Sequence, residues 1–350
     1  MATFDFSKEI ELCANISIDW SKFDNKVLMI TGATGLMGKF LIQVLLYRNI
    51  LKGINTKIIA VGRNREKFLT RFSNIEGQEN LEFYEHDVQQ PCKYVGRLDM
   101  IIHMASNTHP RLYAVEPIDT EMTNIFGSYY LLQKASENEG CRFVLVSSGD
   151  IYGDNQSSKE YLSERDCGYI DCNTLRAGYI EGKRASEALC NAFKEEKGVD
   201  FVTARLCRIY GPTMLLSDSK AISQFIKKSV AGEDIILKSE GKQTFSYLYV
   251  YDAVSALLTI SAMGKTGNAY NVADNRQCIS LRNLAAILAK IGNSTVRIEH
   301  PDIVESKGAS TFQNVKLDAT KLYGLGWKSE VEMEDGIRHT VHFLSEKTNC

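Results

Sequence analysis

A tyrosine and a lysine one helical turn apart could carry out base chemistry on an alcohol. Tyr179 and Lys183 are four positions apart in a stretch with helical periodicity, so both side chains face the same direction. A free phenol has a pKa near ~10, and a neighbouring cation lowers that pKa and favours the phenolate. Tyr179 is therefore a candidate general base. The pair follows an apolar run that ends in Ser147 and Ser148.

A glycine-rich loop precedes this pair and could hold a phosphate. Residues 31–38 (TGATGLMG) follow the apolar run Lys26–Ile30 and lead into a predicted helix. Gly32 permits a tight turn, Gly35 lets the backbone approach a pyrophosphate, and Gly38 lets the helix lie close to the strand. The N-terminus of the helix favours an anion, so the loop predicts a dinucleotide site. The predicted contacts of this loop with the dinucleotide are Gly32, Thr34, Gly35, Leu36, Met37 and Gly38.

The end of the second predicted strand should contact the adenosine ribose. An Asp or Glu there favours NAD, whereas an Arg favours NADP. The sequence has Arg63 at this place and no acid before Glu66, and a guanidinium can hold a 2′-phosphate. This feature leaves NAD and NADP open. Asp87 and Val88, after the third predicted strand, are candidate adenine contacts.

A regular alternation of strands and helices must position these residues. Short β-branched runs alternate with longer stretches of helical periodicity, which predicts βαβ units and right-handed crossovers. The predicted strands are Lys26–Ile30, Lys57–Val61, Leu81–Glu85, Met100–His103, Arg142–Ser147 and Phe201–Arg205. The predicted helices are Leu36–Tyr47, Pro117–Glu139 and Tyr179–Glu196. The expected fold class is α/β, a Rossmann-type doubly wound parallel sheet.

The second half of the chain is less regular and is expected to form a smaller α+β substrate lobe. Residues 1–212 should be mainly the dinucleotide-binding domain and residues 213–350 mainly the substrate lobe, with some elements exchanged between them. No proline-rich linker separates the two, so the lobes should pack closely. Met214–Lys220 and Ile303–Thr311 are predicted to be loops.

Composition and charge exclude several classes of protein. The 350 residues are 44% hydrophobic and 24% charged, which is typical of a globular chain. Lys and Arg number 41 against 43 Asp and Glu, and the net charge of −2 argues against a nucleic-acid partner. No apolar run suits a membrane span and the first residues carry no secretory pattern, so we expect a cytoplasmic protein. The nine cysteines have no metal-binding spacing, and we expect free thiols and no metal.

Further motifs occur in order along the chain. They are TGATGLMG (31–38), HMAS (103–106), Asn124 in TNIFGS, SSGDIYG (147–153), YIEGK (179–183), RLCRIYGP (205–212) and GKQTFSYLYVYD (241–252). Together these motifs resemble the extended short-chain dehydrogenase/reductases, in particular the NAD-dependent epimerase/dehydratase group that modifies nucleotide sugars. The resemblance covers nearly the whole chain.

The resemblance implies a reaction and a role for the matching residues. Tyr179 would take a proton from a sugar 4-hydroxyl while a hydride moves to a tightly bound NAD(P) that is recycled in place. Lys183 would bind the nicotinamide ribose and lower the pKa of Tyr179, and Ser148 would hydrogen-bond the same hydroxyl. The further cofactor contacts would be Met104, Ala105, Ser106 and Asn124. The implied partners are a nucleotide sugar and, because the two long helices resemble a pair that forms a dimer bundle, a second copy of the chain.

The chain departs from the family pattern in two places, first at the acid positions that bear on the reaction and second at the contacts with the substrate. The sugar 4,6-dehydratases carry an Asp-Glu pair where this chain has Gly149 and Asp150, which removes the proton donor to the departing 6-hydroxyl. An acid at position 150 resembles the UDP-glucuronate decarboxylases, which have a Glu there, so decarboxylation is the leading expectation. Epimerisation at C4, 4,6-dehydration and a reductase that releases its cofactor remain alternatives. A dinucleotide-binding sensor is the alternative of another class.

The second departure concerns the substrate diphosphate. Arg208 stands where the family has an Asn, and Phe245 stands where the family has a pyrophosphate-binding Arg after Gln243-Thr244. We expect Arg208 to supply the charge that Phe245 cannot. Arg208, Gln243 and Phe245 are therefore the predicted substrate contacts.

Overall fold

A parallel sheet of seven strands lies at the centre of the structure, a computed structural model that describes residues 5–73, 78–154, 159–308 and 312–348. The strands are β1 (Val27–Thr31), β2 (Lys57–Gly62), β3 (Leu81–Glu85), β4 (Met100–His103), β5 (Arg142–Ser148), β6 (Asp200–Leu206), β7 (Arg208–Tyr210), β8 (Ile235–Leu237), β9 (Thr244–Tyr249), β10 (Asn268–Val272), β11 (Cys278–Ser280), β12 (Val296–Ile298) and β13 (Asn314–Val315). The central sheet has the order β10-β6-β5-β4-β1-β2-β3, with all neighbours parallel. The six strands expected from the sequence are all present in it.

Helices cover both faces of this sheet, and others pack on elements of the second half of the chain. They are α1 (Phe6–Ala14), α2 (Leu36–Lys52), α3 (Arg65–Arg71), α4 (Pro110–Val115), α5 (Pro117–Ser136), α6 (Ala177–Lys197), α7 (Ala221–Ala231), α8 (Val250–Met263), α9 (Leu281–Ile291), α10 (Ile303–Gly308), α11 (Thr320–Tyr323) and α12 (Met333–Thr348). Ile30 of β1 belongs to the core shared with Phe40 of α2. Met29, on the opposite side of the same strand, belongs to the core shared with Leu131 of α5. Strands buried on both faces are the physical reason for the continuous apolar runs in the sequence.

The second half of the chain contributes to both lobes. Strand β10 pairs with β6 at the edge of the central sheet, although it lies far along the chain. Strand β9 pairs with β7, so that Arg208 is in register with Tyr247, two residues beyond Phe245. This pairing brings the end of the first half next to the substrate lobe. The division at residue 212 stays a prediction.

The structure contradicts one of the two predicted loops. Met214–Lys220 lies outside helices and strands, as expected. Ile303–Gly308, however, is helix α10, and residues 309–311 lie outside the described residues. Asp302 explains the helix, because its carboxylate accepts from the Glu305 N–H at 2.7 Å while the Glu305 carboxylate accepts from the Asp302 N–H at 2.9 Å. This reciprocal pair is a capping box with Asp at the N-cap, a signal that the sequence analysis missed.

Two further expectations concern membranes and cysteines. None of the helices in the described ranges combines the length and apolar character needed to cross a membrane. The cysteines of the described residues are free thiols, as expected.

Candidate functional site

A cleft of about 550 Å³ opens at the carboxyl ends of the central strands. Strand β1 lies between β2 and β4, and the chain order reverses there, which is where open α/β sheets bind ligands. Arg208 of β7 also lines the cleft, together with Phe245 and Leu317 from the second half of the chain. The cleft therefore lies between the carboxyl ends of the central strands and residues of the second half of the chain.

The glycine loop has the backbone that a pyrophosphate site requires. Gly32 adopts φ +68°, and a Cβ there would lie 2.8 Å from the Met104 carbonyl carbon. A Cβ on Gly38 would lie 2.3 Å from the Gly32 carbonyl oxygen, so only glycine lets α2 begin this close to β1. Gly35 is the N-cap of α2 and brings no side chain to the helix N-terminus. The helix N-terminus is thus open to an anion from the cleft, and the loop fits a dinucleotide pyrophosphate.

Hydrogen bonds to the buried Thr31 hydroxyl fix the end of the neighbouring strand β4. The Thr31 hydroxyl accepts from the N–H groups of Met104 and Ala105 at 3.1 and 3.0 Å and lies 2.8 Å from His103 Nδ1. Burial lowers the pKa of His103 to about 3, so the ring is neutral and packs in the core. Asn124 lies behind this wall rather than in the cleft, where it accepts from the Ser106 hydroxyl at 2.8 Å.

Cationic side chains line the end of the cleft beside β2, where the adenosine is expected. Gly62, Arg63 and Lys67 line the cleft where NAD-specific sites have an acid. The Arg63 side chain is 59% exposed, and its guanidinium lies 3.9 Å from the Asp119 carboxylate across the cleft. Asp87 lines the same end, and its carboxylate accepts from the Gln89 N–H at 3.0 Å.

Tyr179 lies deep in the cleft, between Ser148 and a second phenol. Burial, together with the charge of the Asp150 carboxylate, raises the pKa of Tyr179 to about 12. Hydrogen bonding from the side chains of Ser148 and Tyr113 lowers the pKa of Tyr179, and the Tyr113 ring stacks on the Tyr179 ring with 4.8 Å between centres. Lys183 is also buried, donates to the Val146 carbonyl at 2.9 Å, and has its pKa lowered to about 8 by burial. The depressed Tyr179 pKa expected from the sequence is therefore not met by the protein alone, because desolvation and a nearby carboxylate outweigh the cations.

An ion pair lies beside this hydroxyl. The Asp150 carboxylate accepts from Arg176 Nη2 at 2.5 Å, and the two side chains are 15% and 9% exposed. The Arg176 guanidinium also lies 5.2 Å from the centre of the Tyr113 ring. The Arg176 guanidinium thus compensates the negative charge of the acid expected at position 150.

Arg208 and Phe245, which both depart from the family pattern, meet at one wall of the cleft. The Arg208 guanidinium stacks on the Phe245 ring, 3.5 Å from its centre, and both line the cleft. Gln243 does not line the cleft: it precedes β9, and its carbonyl accepts from the Leu281 N–H at 2.9 Å.

All the predicted site residues other than Asn124 and Gln243 line this one cleft. Sequence reasoning missed Arg176 and Tyr113. Arg176 stands three residues before Tyr179, one helical turn away, and that spacing could have identified it. Tyr113 reaches the site from α4, and no local pattern indicates that approach.

Comparisons with known proteins agree with this architecture. The family model described as the NAD dependent epimerase/dehydratase family matches residues 28–273. The chain is 30% identical to UDP-glucuronic acid decarboxylase 1 of Xenopus tropicalis over 331 residues, which cover 93% of this chain and 74% of that protein.

Solved structures share the fold. UDP-glucose 4-epimerase of Thermotoga maritima superposes with a TM-score of 0.78 at 22% identity, covering 92% of this chain and 99% of that one. A dTDP-glucose 4,6-dehydratase of Streptomyces venezuelae, solved with NAD bound, gives a TM-score of 0.78 at 22% identity, covering 92% and 98%. With a family model that matches most of the chain and a relative at 30% identity, this protein belongs to the NAD-dependent epimerase/dehydratase family.

Proposed function

We propose that this enzyme decarboxylates UDP-glucuronate after a transient oxidation at C4 of the sugar. The observation that carries the proposal is the buried Asp150–Arg176 pair beside the Tyr179 hydroxyl. The relative from Xenopus tropicalis, named a UDP-glucuronic acid decarboxylase, supports the same reaction.

The first step uses groups that face one another in the cleft. Tyr179 as phenolate takes the proton of the sugar 4-hydroxyl, and Ser148 orients that hydroxyl. A bound nicotinamide would supply the reversible hydride acceptor for C4. Lys183 lines the same part of the cleft and would hold the nicotinamide ribose. The glycine loop residues Gly32–Gly38 would hold the pyrophosphate.

The second step needs a group beside C5. In the 4-keto sugar the C5 carboxylate is β to the carbonyl, so the C5–carboxylate bond can break, with its electron pair passing into the carbonyl and carbon dioxide leaving. C5 then takes up one proton, which comes from solvent, before C4 is reduced again. Asp87 and Asp218 also line the cleft, but Asp150 is the carboxylate whose charge acts on the Tyr179 hydroxyl. We assign the proton exchange at C5 to Asp150.

The surroundings of Gly149 argue against dehydration. A Cβ at position 149 would lie 2.9 Å from a δ-methyl of Leu317, so this side chain fills the space that the dehydratase acid would need. Epimerisation at C4 is the remaining alternative, since it uses Tyr179, Lys183 and Ser148 without any acid.

Product mass distinguishes these reactions. The purified enzyme is incubated with a panel of nucleotide sugars that includes UDP-glucuronate, together with NAD and NADP. A product of UDP-glucuronate that is lighter by carbon dioxide supports the proposal. A product lighter by water, or an unchanged mass with a new anomeric signal by NMR, would replace it with dehydration or epimerisation.

We further propose that Arg208 binds the substrate diphosphate in place of the arginine that Phe245 replaces. The stack holds the guanidinium at the cleft wall, with its charge facing the ligand space. Arg208→Ala should raise KM by roughly tenfold to a hundredfold, which corresponds to one charged hydrogen bond, while kcat changes little. Arg208→Lys should keep most of the affinity. Steady-state kinetics check this, and an unchanged KM in Arg208→Ala would refute the assignment.

For the cofactor we propose a preference for NADP over NAD. The ribose end of the cleft presents Arg63 and Lys67, and the end of β2 lacks the acid that repels a 2′-phosphate in NAD-specific sites. Arg63→Ala should weaken NADP binding by roughly tenfold and leave NAD nearly unaffected. Calorimetry with each cofactor measures both. Tighter NAD binding in the unaltered protein, with no effect of the substitution, would overturn the preference.

We also propose a cytoplasmic homodimer formed through α5 and α6. The outer face of α5 exposes Ile118, Phe126 and Tyr129, and the Tyr129 ring packs edge-on against Phe193 of α6. A four-helix bundle of two such pairs would cover these apolar side chains. Free thiols suit a reducing compartment. Light scattering should give twice the chain mass of 39.3 kDa, and a monomer would contradict the dimer.

A further inference from the structure

The hydroxyl of Tyr179 faces charged and polar groups from several elements. Asp150 and Ser148 reach it from the end of β5 and the turn that follows, Arg176 from the start of α6, and Tyr113 from α4. Arg208, from β7, acts on the Tyr113 end of this group. In the proposed reaction the Ser148 hydroxyl orients the sugar 4-hydroxyl. Tyr113 then remains as the protein donor that can hold the Tyr179 oxygen.

Packing on both Tyr179 and Arg176 holds the Tyr113 ring in place. Its ring stacks on the Tyr179 ring with 4.8 Å between centres and 23° between planes, and the residue is 3% exposed. The Arg176 guanidinium lies over the Tyr113 ring, 5.2 Å from its centre, and is itself held by Asp150. Burial holds the pKa of Tyr113 well above its usual range, so its hydroxyl keeps a proton to donate.

We propose that Tyr113 is a positioning residue for Tyr179, and that its hydroxyl donates a hydrogen bond that favours the Tyr179 phenolate over the phenol. This inference rests on the proposed role of Tyr179 as the base, and not on which sugar is the substrate. A donor to an ionised oxygen is stronger than a donor to a neutral one. The Asp150–Arg176 pair would then serve a second purpose, because it fixes the ring that carries this donor.

Tyr113→Phe tests the inference, because it keeps the stacked ring and removes the hydroxyl. At neutral pH kcat should fall by about tenfold with KM nearly unchanged, since one hydrogen bond to a charged group is worth about that factor or more. The rising limb of the kcat profile should move to higher pH by about one unit, and the rates should converge in alkali. Tyr169→Phe is the matched control and should leave the profile in place, because Tyr169 is 59% exposed and does not line the cleft.

A second readout needs no turnover. The near-ultraviolet phenolate absorbance of the holoenzyme, minus that of Tyr179→Phe, reports the ionisation of Tyr179 alone. In the Tyr113→Phe background this difference should appear at higher pH. If the proposed substrate is wrong, the titration should still shift to higher pH. A failure of the proposed function can therefore be distinguished from a failure of this inference. An unmoved titration and an unmoved profile in a folded Tyr113→Phe protein would overturn the inference.

Discussion

Replacing Tyr179 by phenylalanine should lower kcat by roughly 10² to 10⁴-fold, the usual contribution of a positioned acid–base group. The phenol is buried in the cleft beside Ser148, so solvent is a poor substitute for it as the base. The substitution keeps the ring and its stack on Tyr113, and the protein should stay folded. Initial rates with the substrate found by product mass measure the effect.

Cofactor binding is the control for this variant. The glycine loop and Lys183, which would hold the cofactor, are untouched by the loss of one hydroxyl. Titration of protein fluorescence with NAD and NADP should give dissociation constants within a factor of about two of those of the unaltered enzyme, since no charged contact is removed. Full activity in Tyr179→Phe would mean that another group is the base.

The second large effect concerns stability. Asp150→Ala should lower the free energy of unfolding by about 3 kcal/mol or more, because Arg176 stays buried without the carboxylate that compensates its charge. The two side chains are 15% and 9% exposed, so water gives little screening. Chemical denaturation measures the loss as a lower midpoint with an unchanged slope.

A double variant separates charge from packing. Asp150→Ala combined with Arg176→Met removes both charges and should regain most of the lost stability, since replacing a whole buried pair is often close to neutral. Activity should remain low in the double variant, because the acid assigned to C5 is gone. Equal stability of the unaltered protein and Asp150→Ala would show that the pair contributes nothing to the fold.

The cofactor half of the site was predictable because it depends on local backbone geometry. Gly32 and Gly38 sit where a side chain would strike the chain within 3 Å, so the glycine spacing in the sequence specifies the loop almost completely. The six predicted strands follow from apolar runs that are buried on both faces. These features need no knowledge of distant residues.

The chemistry around Tyr179 was less predictable, since it depends on which distant groups share a buried volume. The sequence places Lys183 one turn from Tyr179 and suggests a lowered pKa, yet burial and Asp150 raise that pKa to about 12. Tyr113 lies more than 60 positions earlier and meets Tyr179 only through the packing of α4 on the cleft. Helix α10 was missed although its signal is local. The capping box at Asp302 stands in a short polar stretch that resembles a loop.

Isotope transfer tests the central claim most directly. UDP-glucuronate labelled with deuterium at C4 is incubated with the holoenzyme, and the product is examined by mass spectrometry and NMR. Transient oxidation at C4 with decarboxylation predicts a product lighter by carbon dioxide that keeps its deuterium at C4, with no net reduction of free cofactor. Loss of the label, an unchanged mass or a product lighter by water would contradict the account.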